Sequence, residues 1–312
     1  MSKPKIVAVV GHTASGKTGL AIALAERLGG EIVCCDSMQI YREMDIGTAK
    51  PTPEELARAP HHMVDFVDPM RPYSCADYAE DAEKAINDIL SRGKLPIICG
   101  GTGLYLDTLL FERPFDECGG RSDVRERLER EAQELGAHAL HLRLSEVDPE
   151  SAAKIHENNV RRVIRALEIF ETTGKKKSEL DALASPAKYD FLAFELRRTD
   201  MAERYVRIEA RVDEMLATGL LEETKKLLEM GIFEKNPPAA QAIGYKEMLG
   251  YVRGKVSLAD ARERLIIATR QYAKRQVTWF GAKNYIETVE LRPDLPDPTE
   301  ALISRIREWI DK

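Results

Sequence analysis

The chain has 312 residues, 44% hydrophobic and 31% charged, a balance that supports a sizeable core in one large domain with an insertion or in two domains. No run approaches the roughly 18 uninterrupted apolar residues of a membrane-spanning helix, and the first strand starts too near the N-terminus for an export signal, so the expected compartment is the cytoplasm. A net charge of −6 excludes a protein that coats nucleic acid indiscriminately but leaves room for a local basic groove.

The apolar run Ile6–Val10 predicts a buried strand, and Leu20–Ala25 predicts the helix that follows it. Between them Gly11–Thr18, GHTASGKT, fits GxxxxGK[ST], which places a P-loop in its proper strand–loop–helix setting. Gly11 and Gly16 allow the tight backbone. The loop N–H groups and the helix N-terminus then form a positive cradle for a diphosphate, Lys17 adds a mobile charge, and Thr18 offers a hydroxyl to Mg²⁺. Glu31–Asp36, EIVCCD, predicts the next strand and brings Asp36 to the edge of the sheet that carries the P-loop. The polar stretch 36–51, DSMQIYREMDIGTAKP, reads as an active-site loop.

His61 and His62 begin HHMVDFVDP, where the absence of a third ligand at a recognisable interval favours a strand-edge role over a metal site. Residues 75–92 predict an amphipathic helix, and Leu95–Cys99 a buried strand running into Gly100–Gly103 with Thr102. These units define an α/β fold, a doubly wound parallel sheet of the P-loop NTPase-like kind. Five cysteines, Cys34, Cys35, Cys75, Cys99 and Cys118, lack a CxxC pair and read as reduced thiols.

From about residue 113 to 188 the sequence turns charged and helical, which predicts an insertion between a first core part, 1–112, and a second, 189–312. Arg161, Arg162 and Arg165 crowd one helical turn, with Val163, Ile164, Leu167 and Phe170 on the apolar side. The pattern suits either an arginine-presenting helix or a solvated one. Residues 191–196 predict a returning strand and Ala202–Met230 a long helical stretch, on which Arg204, Arg207 and Arg211 share a face able to meet phosphate. Gln241–Lys246 reads as a loop before another helix. The helix from Leu258 to about Trp279 carries Arg262, Arg264, Arg270, Lys274 and Arg275 among aromatics, as an RNA-facing surface would.

Taken together, GHTASGKT, DSMQIYREMDIGTAKP, HHMVDFVDP, GGTGLYLDTLL, NNVRRVIRALEIFETTGK, RVDEMLATGLLEE, QAIGYKEM and RQYAKRQVTWF resemble, in order and over nearly the whole chain, the tRNA dimethylallyltransferases. The resemblance implies transfer of a dimethylallyl group from its diphosphate to N6 of the adenosine 3′ of the anticodon, with Mg²⁺. It implies that Thr13, Ala14, Ser15, Gly16, Lys17 and Thr18 bind the diphosphate under Arg207 or Arg211, and that Asp36 is the general base. By the same resemblance Ser37, Met38 and Gln39 line the target adenosine. Thr102, the arginines 161, 162 and 165, and the Gln241, Gly244, Tyr245 and Lys246 block contact tRNA, and the insertion binds the anticodon stem-loop. A monomer is expected. The chain departs from the family at His12, where proline is usual, at Glu43, where glycine or a basic residue is usual, and at Gly281, where arginine is common. On fold and motifs without the resemblance, an ATP-dependent small-molecule kinase, an adenine-nucleotide prenyltransferase and a nucleotide-dependent RNA-binding switch remain open.

Overall fold

The computed structural model describes residues 3–112, 123–183 and 185–312, so Cys118 and the first ten residues of the expected insertion lie outside them. Six parallel strands form one sheet: β1 (Lys5–Gly11), β2 (Gly30–Cys35), β3 (His61–His62), β4 (Leu95–Gly100), β5 (Asp190–Arg198) and β6 (Glu287–Leu291), in the order β3-β2-β4-β1-β5-β6. Strands covered on both faces need apolar residues at every position, which is why Ile6–Val10 is uninterrupted and fully buried. β6, ETVEL, lies at the sheet edge with alternating exposed polar residues and gave no comparable signal. The histidines at β3 occupy the opposite edge, where His62 Nε2 meets the Glu31 carboxylate at 2.7 Å.

One core layer joins the P-loop helix Lys17–Leu28 and the final helix Thr299–Ile310 to the sheet through Leu20, Leu24, Ile303 and Ile306. A second core gathers Ile40, Tyr41 and Met44 against the helices Leu220–Glu229, Tyr245–Val252 and Leu258–Gly281. The stretch Ala202–Met230, expected to be continuously helical, divides into Met201–Ala217 and Leu220–Glu229 because Gly219 turns the chain at φ 111°.

Phe111–Ala187 forms a separate compact unit with its own core of Leu128, Leu140, Leu144, Val163 and Leu167. Asp148 ties its turns together by accepting the N–H groups of Ser151 and Ser178 at 3.1 and 3.0 Å, which holds its carboxyl down at about 2 against the opposing effect of burial. The helix Val160–Thr173 separates the three arginines expected to meet tRNA. Arg161 and Arg162 are exposed, whereas Arg165 turns back to the buried Glu168 at 2.7 Å, a carboxylate that also takes Arg125 at 2.5 Å. Arg165 thus has a structural duty that Arg161 and Arg162 lack, because it helps to neutralise a carboxylate buried in the core.

Candidate active site

The turn after β1 begins at Gly11, where a Cβ would approach the Leu196 carbonyl to 2.6 Å. It runs through Ala14 at φ 60° and enters the helix at Gly16, φ 97°, with no side chain capping the first turn. Those uncapped N–H groups are the donors an anion needs. Lys17 lies deep beside them, where burial lowers its pKa and neighbouring Arg211 adds to the effect. Gln276, from the helix Leu258–Gly281, braces the turn: its carbonyl accepts the Thr13 N–H at 2.8 Å while its amide donates to the Gly101 carbonyl at 2.9 Å.

The helix Met201–Ala217 brings its three arginines to this turn. Arg204 donates to the Arg198 carbonyl at 3.1 Å, Arg207 to the Ala14 carbonyl at 3.1 Å, and Arg211 to the Thr13 hydroxyl at 3.2 Å. Burial lowers the Arg211 pKa, Asp36 being the leading influence in the other direction. Arg207 and Arg211 make no ion pair among the described residues, so the positive charge is held for a ligand.

Asp36 follows β2, and its Oδ1 accepts the N–H groups of Met38 and Gln39 at 2.9 and 3.4 Å, which folds Ser37–Gln39 into a tight turn. Thr102 braces that turn by accepting the Ser37 N–H at 3.0 Å. Tyr272 lies close by, its phenol pushed up chiefly by burial and then by the Asp36 charge. P-loop, Asp36 turn, residues 47–49, Arg207, Arg211 and Gln241–Ile243 all line a single cavity of about 710 Å³.

Several expected site residues have other structural duties. The Gln39 amide donates to the carbonyls of Thr48 and Ala49 at 3.1 and 2.8 Å, so it shapes the pocket wall. Tyr245 is fully buried, and Gly244 beside it is buried too, so the two do not reach tRNA; the Tyr245 hydroxyl bonds to Glu223 at 2.6 Å. Gln241 and Lys246 are exposed and bond to each other at 3.3 Å. On the helix Leu258–Gly281, Arg262 is held by Asp213 at 2.6 Å and Arg270 by Glu209, which removes two cations from its basic face. Gln276 and Glu223 were not singled out from sequence. A single polar residue inside a helix carries no periodic signal, and their partners are distant in the chain.

The three departures also have a local basis. Glu43 adopts φ 67°, the conformation that favours glycine, and is held by Lys226 at 2.5 Å. A Cβ at Gly281 would come within 2.8 Å of the Arg197 guanidinium. His12 is buried with Nδ1 2.7 Å from the Thr13 carbonyl, and burial drops its pKa to about 4.

A parallel α/β sheet with an uncapped P-loop, unpaired arginines over it and a carboxylate in the same cavity defines an enzyme that handles a phosphate or diphosphate ester. The comparisons narrow that class. The model of the IPP transferase family matches residues 39–283, and that of the isopentenyl transferases residues 4–65. The tRNA dimethylallyltransferase of Bacillus cytotoxicus is 49% identical over 90% of this chain and 88% of its own, and that of Caldanaerobacter subterraneus 46% over 91% and 90%. Among solved structures, the tRNA isopentenylpyrophosphate transferase of Bacillus halodurans is 42% identical, covering 99% of this chain and 96% of its own, with a TM-score of 0.72. A eukaryotic dimethylallyltransferase acting on tRNA is 34% identical, covering 99% and 80%, with a TM-score of 0.85. The chain belongs to the tRNA dimethylallyltransferase family, prenyltransferases that act on tRNA.

Proposed function

We propose that the cavity transfers the dimethylallyl group of dimethylallyl diphosphate to N6 of the adenosine 3′ of the tRNA anticodon. The observation that carries this reading is the sharing of one cavity by the Asp36 carboxylate and a P-loop flanked by Lys17, Arg207 and Arg211. In the reaction the allylic C1–O bond breaks, the N6–C1 bond forms, the N6 proton passes to Asp36, and diphosphate leaves. Lys17 and the arginines stabilise charge growing on the leaving group. The exocyclic nitrogen shares its lone pair with the ring, so it needs an oriented acceptor. The Asp36 turn supports that role: the N–H groups of Met38 and Gln39 both fall on Oδ1, and Oδ2 would serve as the acceptor.

Among the described residues no cluster of three acidic, histidine or cysteine side chains could cage a metal, and the donor set instead suits Mg²⁺ carried on the diphosphate. Thr18 would contribute its hydroxyl, and the ion would neutralise leaving-group charge. A stacked adenosine cannot reach Asp36, so the base must turn out of the anticodon loop. The exposed Arg161, Arg162, Gln241 and Lys246 are the groups assigned to tRNA. No described helix is long and apolar enough to cross a membrane, and a cytoplasmic monomer is the working state in this reading. The test is nucleoside mass analysis of tRNA incubated with the protein, Mg²⁺ and dimethylallyl diphosphate. One isoprene unit gained on adenosine is expected; phosphate transfer from ATP to a small molecule without that gain would overturn the reading in favour of a kinase.

A further inference from the structure

The loop Asp45–Ala49 lends residues 47–49 to the cavity wall and has almost no regular structure of its own, yet half of its backbone polar groups are satisfied by two side chains. Glu223, from the helix Leu220–Glu229, accepts the N–H groups of Asp45 at 3.0 Å, Ile46 at 2.9 Å and Gly47 at 3.0 Å. The same carboxylate accepts the Tyr245 hydroxyl at 2.6 Å. From the other side Gln39 holds the carbonyls of Thr48 and Ala49. Gly47 lies flat on the Tyr245 ring, where a Cβ would come within 2.5 Å. One carboxylate thus fixes two segments of the wall, the 45–47 loop directly and the segment at 241–245 through Tyr245.

We propose that Glu223 is a positioning residue for the prenyl transfer, holding the 45–49 loop so that Gln39, and with it the turn on Asp36, keeps the orientation needed at the acceptor adenosine. The inference rests on the function proposed above. A carboxylate suits this place because it accepts four hydrogen bonds at once with no proton of its own to place. A carboxamide keeps the shape but has one accepting oxygen, and its NH₂ would face N–H donors. Nothing in the network touches the P-loop, so leaving-group binding should be untouched.

The experiment compares wild type, Glu223→Gln and Tyr245→Phe by single-turnover prenylation of tRNA, by affinity for dimethylallyl diphosphate, and by amide hydrogen exchange. Glu223→Gln should slow single turnover about tenfold or more, the scale of a small misplacement at a reacting centre. Its diphosphate affinity should stay within twofold of wild type, and exchange should speed at Asp45, Ile46 and Gly47 but not in the P-loop. Tyr245→Phe should give a smaller loss, and the double variant should lose less than the product of the two, because both act on one clamp. Wild-type turnover in Glu223→Gln, or loss of diphosphate affinity in step with rate, would overturn the inference. The exchange arm needs no activity: unchanged exchange at 45–47 sinks the clamp itself, whereas failure of the wild type to prenylate tRNA sinks only the functional reading.

Discussion

Two sets of helix-borne arginines have opposite fates in this molecule. In the helical unit, Arg125 and Arg165 close on the buried Glu168, and Arg127 and Arg143 close on Glu131 and Glu171. In the core, Arg207 and Arg211 reach the P-loop, where among the described residues they bond to a carbonyl and a hydroxyl and to no acid. Paired arginines have their charge neutralised in the fold and serve packing. Those left without an acid keep their field for something that arrives, which in the proposed function is a diphosphate. What differs between the two sets is the counter-ion.

The largest effects test the unpaired set. Lys17→Ala and Thr18→Ala should abolish turnover, and raised Mg²⁺ should partly restore Thr18→Ala alone, because only that variant loosens the ion. Arg211→Gln should cost about 10²-fold in the chemical step, the scale of losing one donor to developing charge. Should rapid-mixing rates for Arg211→Gln match wild type, the unpaired arginines are not held for the leaving group. Asp36→Asn probes the one group of opposite sign in the turn facing them: single-turnover rates should fall by about 10² while tRNA affinity holds, and a loss under threefold would remove it as the base.

A smaller effect separates the arginines within one helix. Replacing Arg161 and Arg162 by alanine should flatten the dependence of log tRNA affinity on log salt by about 1.4, two contacts at about 0.7 each. Arg165→Ala should leave that slope alone and lower the melting temperature, since Glu168 loses part of its pairing. A slope that responds to Arg165 instead would invert the distinction.

The smallest concerns His12, buried among Lys17, Arg198 and Arg204. Its pKa falls from 6.5 to about 4 on folding, so the unfolded chain binds the proton more readily. The stability it contributes is whole above pH 6.5 and lost as pH falls to about 4. His12→Asn should shallow the decline of melting temperature across that window, with His61, whose pKa is also lowered by burial, supplying a remainder.

Much of the fold was legible because its cause is local. Ile6–Val10 and Leu95–Cys99 announce buried parallel strands by unbroken apolarity, and GHTASGKT carries its own backbone requirements. β6 escaped because an edge strand needs no such run. Asp36, Lys17 and Thr18 could be singled out by position against a strand end or motif. Glu223 and Gln276 could not, because each acts on groups far away in the chain. Arg165 shows the same limit from the other side: its spacing and the nearby Glu168 were both readable, but not which of the three arginines that acid would take. Gly219 stood in plain view as a helix breaker, and there the helical periodicity on both sides hid it.

Gln276 carries a consequence for how the enzyme comes into being. Its carboxamide joins the Thr13 N–H to the Gly101 carbonyl, contacts that span 263 and 175 residues. The P-loop is therefore made well before its brace, which lies 263 residues further along the chain. Since domains assemble during synthesis and long-range contacts form late, a nascent chain can lay down β1, β2 and β4 well before its phosphate cradle is stiffened. A translation product stopped before the helix Leu258–Gly281 would hold the motif without the Gln276 brace on its turn.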